Sequence, residues 1–188
     1  MNDNDKAFLL DVARRSIKSH LFHEESFAFP IQKEQNSELW EKKGCFVTLT
    51  SNRKLRGCIG TIEPIYPLIK SVHLNAINAA FFDPRFYPLS LEEYPTISIE
   101  ISILTAPTEI HYSTYQDLLQ CVRPHKDGVI LQLGNHSSTF LPQVWDELSN
   151  PEEFFSQLSL KAGLEPNSWK NNPNMKVFLY QVEKFAEE

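Results

Sequence analysis

The chain has 188 residues, of which 41% are hydrophobic and 22% charged, with a formal net charge of -6; this is the make-up of an ordinary folded domain rather than a disordered or fibrous chain. A protein of this length buries about 70% of its extended surface, enough for one sizeable core or two closely packed lobes. The acidic balance disfavours broad nucleic-acid binding, no run approaches the ~18 apolar residues of a membrane span, and the start Met1-Asn2-Asp3-Asn4-Asp5-Lys6 has none of the features of a secretory signal.

In chain order, residues 5–22 place Leu9, Val12, Ala13, Ile17 and Leu21 at three- and four-residue intervals, which predicts an amphipathic helix with Arg14, Arg15 and Lys18 on its wet side. Residues 23–44 read as a polar connector, with an extended piece at Phe27-Ala28-Phe29-Pro30 and a short helical turn near Leu39-Trp40. Residues 45–50 alternate as a strand, and Ser51-Asn52-Arg53-Lys54 forms a turn into a second strand, giving a hairpin. Leu68, Val72, Ala76, Ala79 and Ala80 recur at helical spacing over 67–82, and Asp83-Pro84 ends that helix because the residue before proline is pushed out of helical geometry.

Residues 96–104 form the cleanest predicted strand, with Ile97, Ile99, Ile101 and Ile103 on one face and Ser98, Glu100 and Ser102 on the other. Ser113 and Thr114 can cap a short helix running to Val122, and Arg123-Pro124-His125-Lys126-Asp127-Gly128 is a turn-rich loop. Residues 129–133 and 138–141 suggest another hairpin around Gly134-Asn135-His136-Ser137. Residues 142–148 and 151–162 suggest two helices, the second ended by Gly163, and 176–182 a final strand. Irregular interleaving with hairpins favours α+β, with mixed or antiparallel sheets and packed helices, over a doubly wound parallel sheet. No repeat or long linker divides the chain, so a single domain over 1–188 is expected.

Three cysteines, Cys45, Cys58 and Cys121, form an odd set without CxxC spacing, which suits reduced thiols and a cytoplasmic location. His20 and His23 share a helix face with Glu24 nearby, but two imidazoles without further ligands do not make a metal site. Neither a GxxxxGK nor a GxGxxG phosphate-binding pattern is present. No metal and no cofactor are therefore expected.

The most unusual segment is Lys54-Leu55-Arg56-Gly57-Cys58-Ile59-Gly60-Thr61, because each glycine inside a strand costs about 0.5–1 kcal/mol relative to alanine. A bulge, or the close approach of a backbone or ligand, is the usual reason for such glycines. In a regular strand Arg56 and Cys58 share one face, and a cation beside a thiol favours its reactive thiolate. Gly57 and Gly60 would let a substrate carbonyl approach backbone N–H groups. The plainer readings are that Cys58 packs as a small hydrophobe, Arg56 pairs with Glu100 across the sheet, and the glycines serve a bend. Asp83 with Arg85, and Arg123 with Asp127, can likewise hold turns. His73 and His125 supply no defensible Cys-His pair, and Arg53, Lys54 and Arg56 form the best basic cluster.

The octapeptide resembles the Leu-Arg-Gly-Cys-Ile-Gly signature of the AMMECR family. The resemblance extends over about residues 44–185, through Phe46-Val47-Thr48-Leu49, Asn75-Ala76, Ala79-Ala80-Phe81, Asp83-Pro84-Arg85-Phe86, Glu100, Arg123-Pro124 with Asp127-Gly128, and Phe140-Leu141-Pro142-Gln143-Val144. It implies two closely associated subdomains, a cleft that includes the signature, and a biochemical role that is not settled. The family also looks like a companion of Memo-type and radical S-adenosylmethionine proteins. Cys45 stands where relatives carry another small residue, so it inherits no role.

Two functions follow as expectations. One is a small-molecule or catalytic cleft with Cys58 as thiol and Arg56 beside it, with Gly57, Gly60, Asp83, Arg85, Glu100, Arg123, Asp127 and Gln143 as ligand-binding candidates. The other is a non-enzymatic adaptor that presents the same surface to a protein partner. Selective RNA binding through residues 53–56 is disfavoured by the acidic balance.

Overall fold

A computed structural model describes residues 1–23 and 37–187. There the chain forms, in order, α1 (Asp3–Leu21), β1 (Cys45–Ser51), β2 (Lys54–Thr61), α2 (Leu68–Phe81), β3 (Ile97–Leu104), β4 (Thr108–Ile110), α3 (Tyr115–Cys121), β5 (Gly128–Leu133), β6 (His136–Phe140), α4 (Pro151–Lys161), α5 (Ser168–Asn171), β7 (Lys176–Tyr180) and β8 (Val182–Ala186). The fold is α+β, with one four-stranded sheet in the order β2-β1-β3-β8 and a second in the order β4-β7-β5-β6. The sheets lie in two compact units, Met1–Leu104 with Glu183–Glu188, and Thr105–Val182.

In the first unit β1 runs antiparallel to both neighbours, pairing Val47 with Ile59 and Ile101, and Leu49 with Gly57 and Ile99. The alternation therefore puts Cys45, Val47, Leu49 and the four isoleucines of β3 on one buried face, in a single core with Leu9, Val12, Ala13 and Ile17 of α1 and Val72, Ala76, Ala79 and Ala80 of α2. The alanines allow α2 to approach so closely that a Cβ at Gly57 would lie 2.1 Å from the Ala79 carbonyl oxygen. Asn75, buried on α2, donates its side-chain N–H to the Cys45 carbonyl at 3.0 Å.

Arg14 departs from its predicted wet position. Its guanidinium pairs with the Glu187 carboxylate through Nε and Nη2 and donates to the Tyr94 and Ile97 carbonyls, while Glu187 Oε2 accepts the Ile99 N–H at 2.9 Å. Helical periodicity fixes the side from which a long side chain starts, but not where its charged end arrives.

The β1–β2 turn is a two-residue connection in which Asn52 (φ 52°) and Arg53 (φ 62°) are both left-handed, the requirement of a type I′ hairpin turn. Asparagine accepts this conformation readily, whereas at Arg53 the side chain's Cβ crowds the backbone at a cost of about 1–2 kcal/mol.

In the second unit α3 begins with the predicted cap, a reciprocal box between Thr114 and Asp117. The core centres on the Trp145 ring stacked 3.6 Å from that of Phe154, with the Trp145 indole N–H donating to the Asp127 carbonyl. Several boundaries differ from the sequence reading. The β5–β6 turn is shorter than expected, because Gly134 (φ 58°) lets the chain reverse and pairing resumes at His136. The predicted helix over 142–148 is a 3₁₀ turn, Pro142–Asp146. The predicted strand over 176–182 is two strands: β7 pairs with β4 and β5, and β8 joins the first unit's sheet. The three-residue β4 and four-residue α5 are too short to carry a periodic signal. The predicted turn near Leu39-Trp40 forms as a 3₁₀ turn, Ser37–Trp40, and the extended piece over 27–30 lies outside the described residues.

Replacing Arg53 with glycine relieves the left-handed strain. The expected outcome is a gain of about 1 kcal/mol, a melting temperature higher by roughly 2–4 °C, measured by thermal denaturation; a lower melting temperature would mean that the arginine side chain contributes more than its backbone costs.

Candidate functional site

β2 is an edge strand, and its pairing with β1 slips between Leu49, opposite Gly57, and Thr50, opposite Leu55. Arg56 is the extra residue of this bulge. Bulges re-aim side chains, and Arg56 reaches residues 87–93 rather than Glu100. Its Nε and Nη2 donate to the Glu93 carboxylate at 2.7 and 3.0 Å, and Nη2 also to the Tyr87 carbonyl at 2.8 Å. The Arg56 hydrogen bond is the main cause holding the Glu93 carboxyl down to about 2. The expected Arg56–Glu100 pair is thus replaced. Glu100 instead has Lys184 Nζ of β8 at 3.8 Å.

The outer edge of β2 is met by Asp83 and Arg85. The Cys58 N–H donates to Asp83 Oδ2 at 2.9 Å, and the Cys58 carbonyl accepts from Arg85 Nη2 at 3.1 Å. Arg85 also donates to Asp83 through its backbone N–H, Nε and Nη2. Asp83 is only 1% exposed in its side chain. The Arg85 guanidinium, followed by the backbone N–H groups of Cys58 and Arg85, outweighs that burial and holds the carboxyl far below the usual range. The pair stands in for a missing neighbouring strand. One consequence is chemical: the Cys58 N–H is occupied and cannot serve as an oxyanion donor.

Because both backbone groups of Cys58 face outward, Thr48 and Cys58 are a non-hydrogen-bonded pair, whose side chains lie closest. Thr48 Oγ1 donates to Cys58 Sγ at 3.3 Å. Across β1, Thr48 pairs with Glu100. A row of Cys58, Thr48 and Glu100, all half-buried, therefore crosses the face opposite the aliphatic core, and Lys184 Nζ reaches its Glu100 end. Gly60 shares this face and is covered by the Phe46 ring, which a Cβ would meet at 2.3 Å. Gly57 is filled by α2. The guanidinium that touches Cys58 is that of Arg85, through the Cys58 carbonyl, whereas Arg56 is turned to Glu93. Phe86 lies beside both guanidiniums, its ring centroid 5.8 Å from Arg56 and 5.5 Å from Arg85. Of the other thiols, Cys45 is buried and pushed up to about 12 by that burial, and Cys121 is exposed.

The remaining candidates lie in the second unit. Arg123 donates to the Asp127 carboxylate through its backbone N–H, Nε and Nη2 at 2.9, 3.0 and 2.8 Å, the same turn chemistry as Asp83 with Arg85. Burial opposes ionisation of Asp127, but the Arg123 hydrogen bonds prevail and hold its carboxyl below the ordinary value. His125 (φ 63°) contacts Asp146 through Nδ1 at 2.9 Å, and Gln143 is exposed on the adjoining 3₁₀ turn. A hollow of about 640 Å³ also lies in this unit, between residues 109–115 and 169–176, and includes no signature residue. None of the site residues expected from the sequence lines it.

Thr48, Glu93 and Lys184 were not singled out by the sequence. Thr48 was hidden because an unbulged hairpin would place it opposite Gly57, and Lys184 because its strand was expected to end at residue 182.

The AMMECR1 family model matches residues 10–185. A Thermococcus kodakarensis protein is 38% identical over 96% of this chain and 89% of its own length, and one from Pyrococcus abyssi is 40% identical with the same coverage. A Methanocaldococcus jannaschii protein is 41% identical over 78% of this chain and 74% of its own. Among solved structures, the crystal structure of an uncharacterized Pyrococcus horikoshii protein superposes with a TM-score of 0.80, at 38% identity, covering 96% of this chain and 90% of that one. No helix among the described residues is long and apolar enough to cross a membrane.

Asp83 and Glu93 both stay ionised in the folded protein to lower pH than in the unfolded chain, where carboxyls titrate near 3.8 and 4.5. Their stabilisation is therefore complete above about pH 5 and is lost as pH falls through about 4 toward 2. Asp83→Asn leaves Arg85 facing an amide and is expected to cost about 2 kcal/mol at pH 7 while flattening the acid limb, read from denaturant melts at a series of pH values between about 3 and 7. An unchanged acid limb would show that Asp83 does not carry this dependence.

Proposed function

The chain belongs to the AMMECR1 family, and we propose that the polar face of its first sheet is a small-molecule site at which Cys58 acts as a nucleophile or acid–base thiol. The observation that carries this reading is half-buried Cys58 with the Thr48 hydroxyl on its sulfur, Glu100 next in the cross-strand row and Lys184 Nζ 3.8 Å from that carboxylate. A packing cysteine looks different in this protein. Cys45, on the other face of the same sheet, is fully buried in the core, its sulfur 3.5 Å from the Asn75 amide nitrogen.

In this reading Thr48 orients the sulfur, while the Glu100 carboxylate and Lys184 ammonium offer polar contacts to a small substrate. Arg56, Asp83 and Arg85 act as positioning residues: they hold the Cys58 backbone and the segment beside it, and touch no reacting atom. Since Asp83 holds the Cys58 N–H, any oxyanion formed on the substrate needs another donor.

A second reading, an adaptor that meets a Memo-type or radical S-adenosylmethionine protein, is favoured by one specific fact. Arg56 is spent on Glu93 and Arg85 on Asp83, which leaves the sulfur without an adjacent base among the described residues.

Alkylation with iodoacetamide, read residue by residue by mass spectrometry on the native protein, separates the two. The thiol reading expects Cys58 to react roughly 3–10-fold faster than exposed Cys121, Cys45 to remain unmodified, and Thr48→Val to change the Cys58 rate without lowering the melting temperature. Metabolite capture should then be lost in Cys58→Ser. Cys58 reacting no faster than Cys121, with capture of a protein partner intact in Cys58→Ser, would overturn the thiol role in favour of the adaptor. Gly57→Ala is no substitute test, because the new Cβ would strike the Ala79 carbonyl and unfold the unit instead of probing the site.

A further inference from the structure

The turn end of the β1–β2 hairpin collects exposed cations and apolar groups that neither the core nor the thiol site uses. Arg53 and Lys54 are exposed and form no ion pair among the described residues. Leu55, next in β2, is 46% exposed, and Tyr87 and Leu91, on the segment that Arg56 holds, are 89% and 57% exposed. The two stretches are fixed to one another: Arg56 holds the Tyr87 carbonyl and the Glu93 carboxylate, and Ser51 Oγ lies 3.3 Å from Thr96 Oγ1. These large apolar side chains therefore project from an anchored segment rather than a loose one.

We propose that this end of the first unit is a docking surface for an acidic segment of a partner protein that carries leucine or aromatic side chains. Charge complementarity selects the occupant. The chain as a whole is acidic, at -6, yet here Arg53 and Lys54 outnumber Glu92, because Glu93 is neutralised by Arg56. A carboxylate-bearing segment gains both cations, and its apolar side chains cover Leu55, Tyr87 and Leu91. The turn supplies an independent argument. A left-handed position where glycine would be relaxed is occupied by an arginine, so the fold bears strain to keep a cation at the tip. RNA fits less well: the bases of a single strand need stacking platforms, and this surface offers one exposed ring among aliphatic groups.

The test uses the full chain and a fluorescein-labelled peptide, Asp-Glu-Leu-Asp-Glu-Phe-Glu-Asp, with a lysine-substituted counterpart, followed by fluorescence anisotropy. Saturable binding of the acidic peptide is expected, weakened about fivefold or more by Arg53→Gly and by Lys54→Glu and reduced by added salt. Tyr87→Ala and Leu91→Ser should weaken it as well. Arg53→Gly is the decisive variant, since it is expected to melt at a higher temperature, so lost binding cannot be ascribed to lost folding. No binding up to about 1 mM peptide, equal binding of the lysine peptide, or undiminished binding by Arg53→Gly would overturn the proposal. So would displacement of the acidic peptide by a single-stranded RNA dodecamer that itself depends on Arg53 and Lys54.

Discussion

An edge strand must dispose of the backbone groups that no neighbour pairs, and in this protein the Asp83 carboxylate solves that problem at Cys58. A buried anion is costly unless it is fully hydrogen-bonded, and Asp83 is: it accepts the Cys58 N–H and three donors of Arg85. Arg85 completes the arrangement by donating to the Cys58 carbonyl. With these contacts the segment after α2 is locked along β2, which brings Phe86, Tyr87 and Glu93 within reach of Arg56. The same contacts fix the outward direction of the Cys58 backbone, and so decide that its side chain meets Thr48.

Two features therefore share one origin. The hairpin slips by a residue at Arg56, which sends the guanidinium away from the sheet face and brings the thiol opposite a hydroxyl. An unslipped hairpin would set Gly57 opposite Thr48 and direct α2 against a side chain it has no room for. The glycines of the signature are explained by packing alone, one against the Ala79 carbonyl and the other beneath the Phe46 ring. What packing leaves unexplained is the sulfur and the polar row beside it.

Much of the fold is legible from period and punctuation. The four isoleucines of β3, the alanines of α2 and the Thr114 cap each lie where the spacing puts them. What escapes is non-local. Nothing in residues 182–187 announces that they pair with β3 and that Glu187 receives Arg14, because from Glu187 the Ile99 partner lies 88 positions away and Arg14 173. The signature glycines raise a bulge as one option, but its place at Arg56 escapes for another reason: it depends on which of two neighbouring registers lets α2 settle closest, a comparison no single segment contains. At the site, the sequence pairs Asp83 with Arg85, as the structure does, but sets Arg56 beside Cys58 and against Glu100, since charge type does not say which carboxylate an arginine reaches.

The route of the chain also orders events in time. The second unit is one continuous stretch, whereas the first needs β8, drawn from residues made after that stretch is finished. On a ribosome the inserted portion is thus complete while the earlier one still lacks its outermost ribbon, and Arg14 waits for a carboxylate not yet synthesised. The β3 edge must stay clear of other chains through that interval, so for this architecture the hazardous moment of birth belongs to the half that is made first.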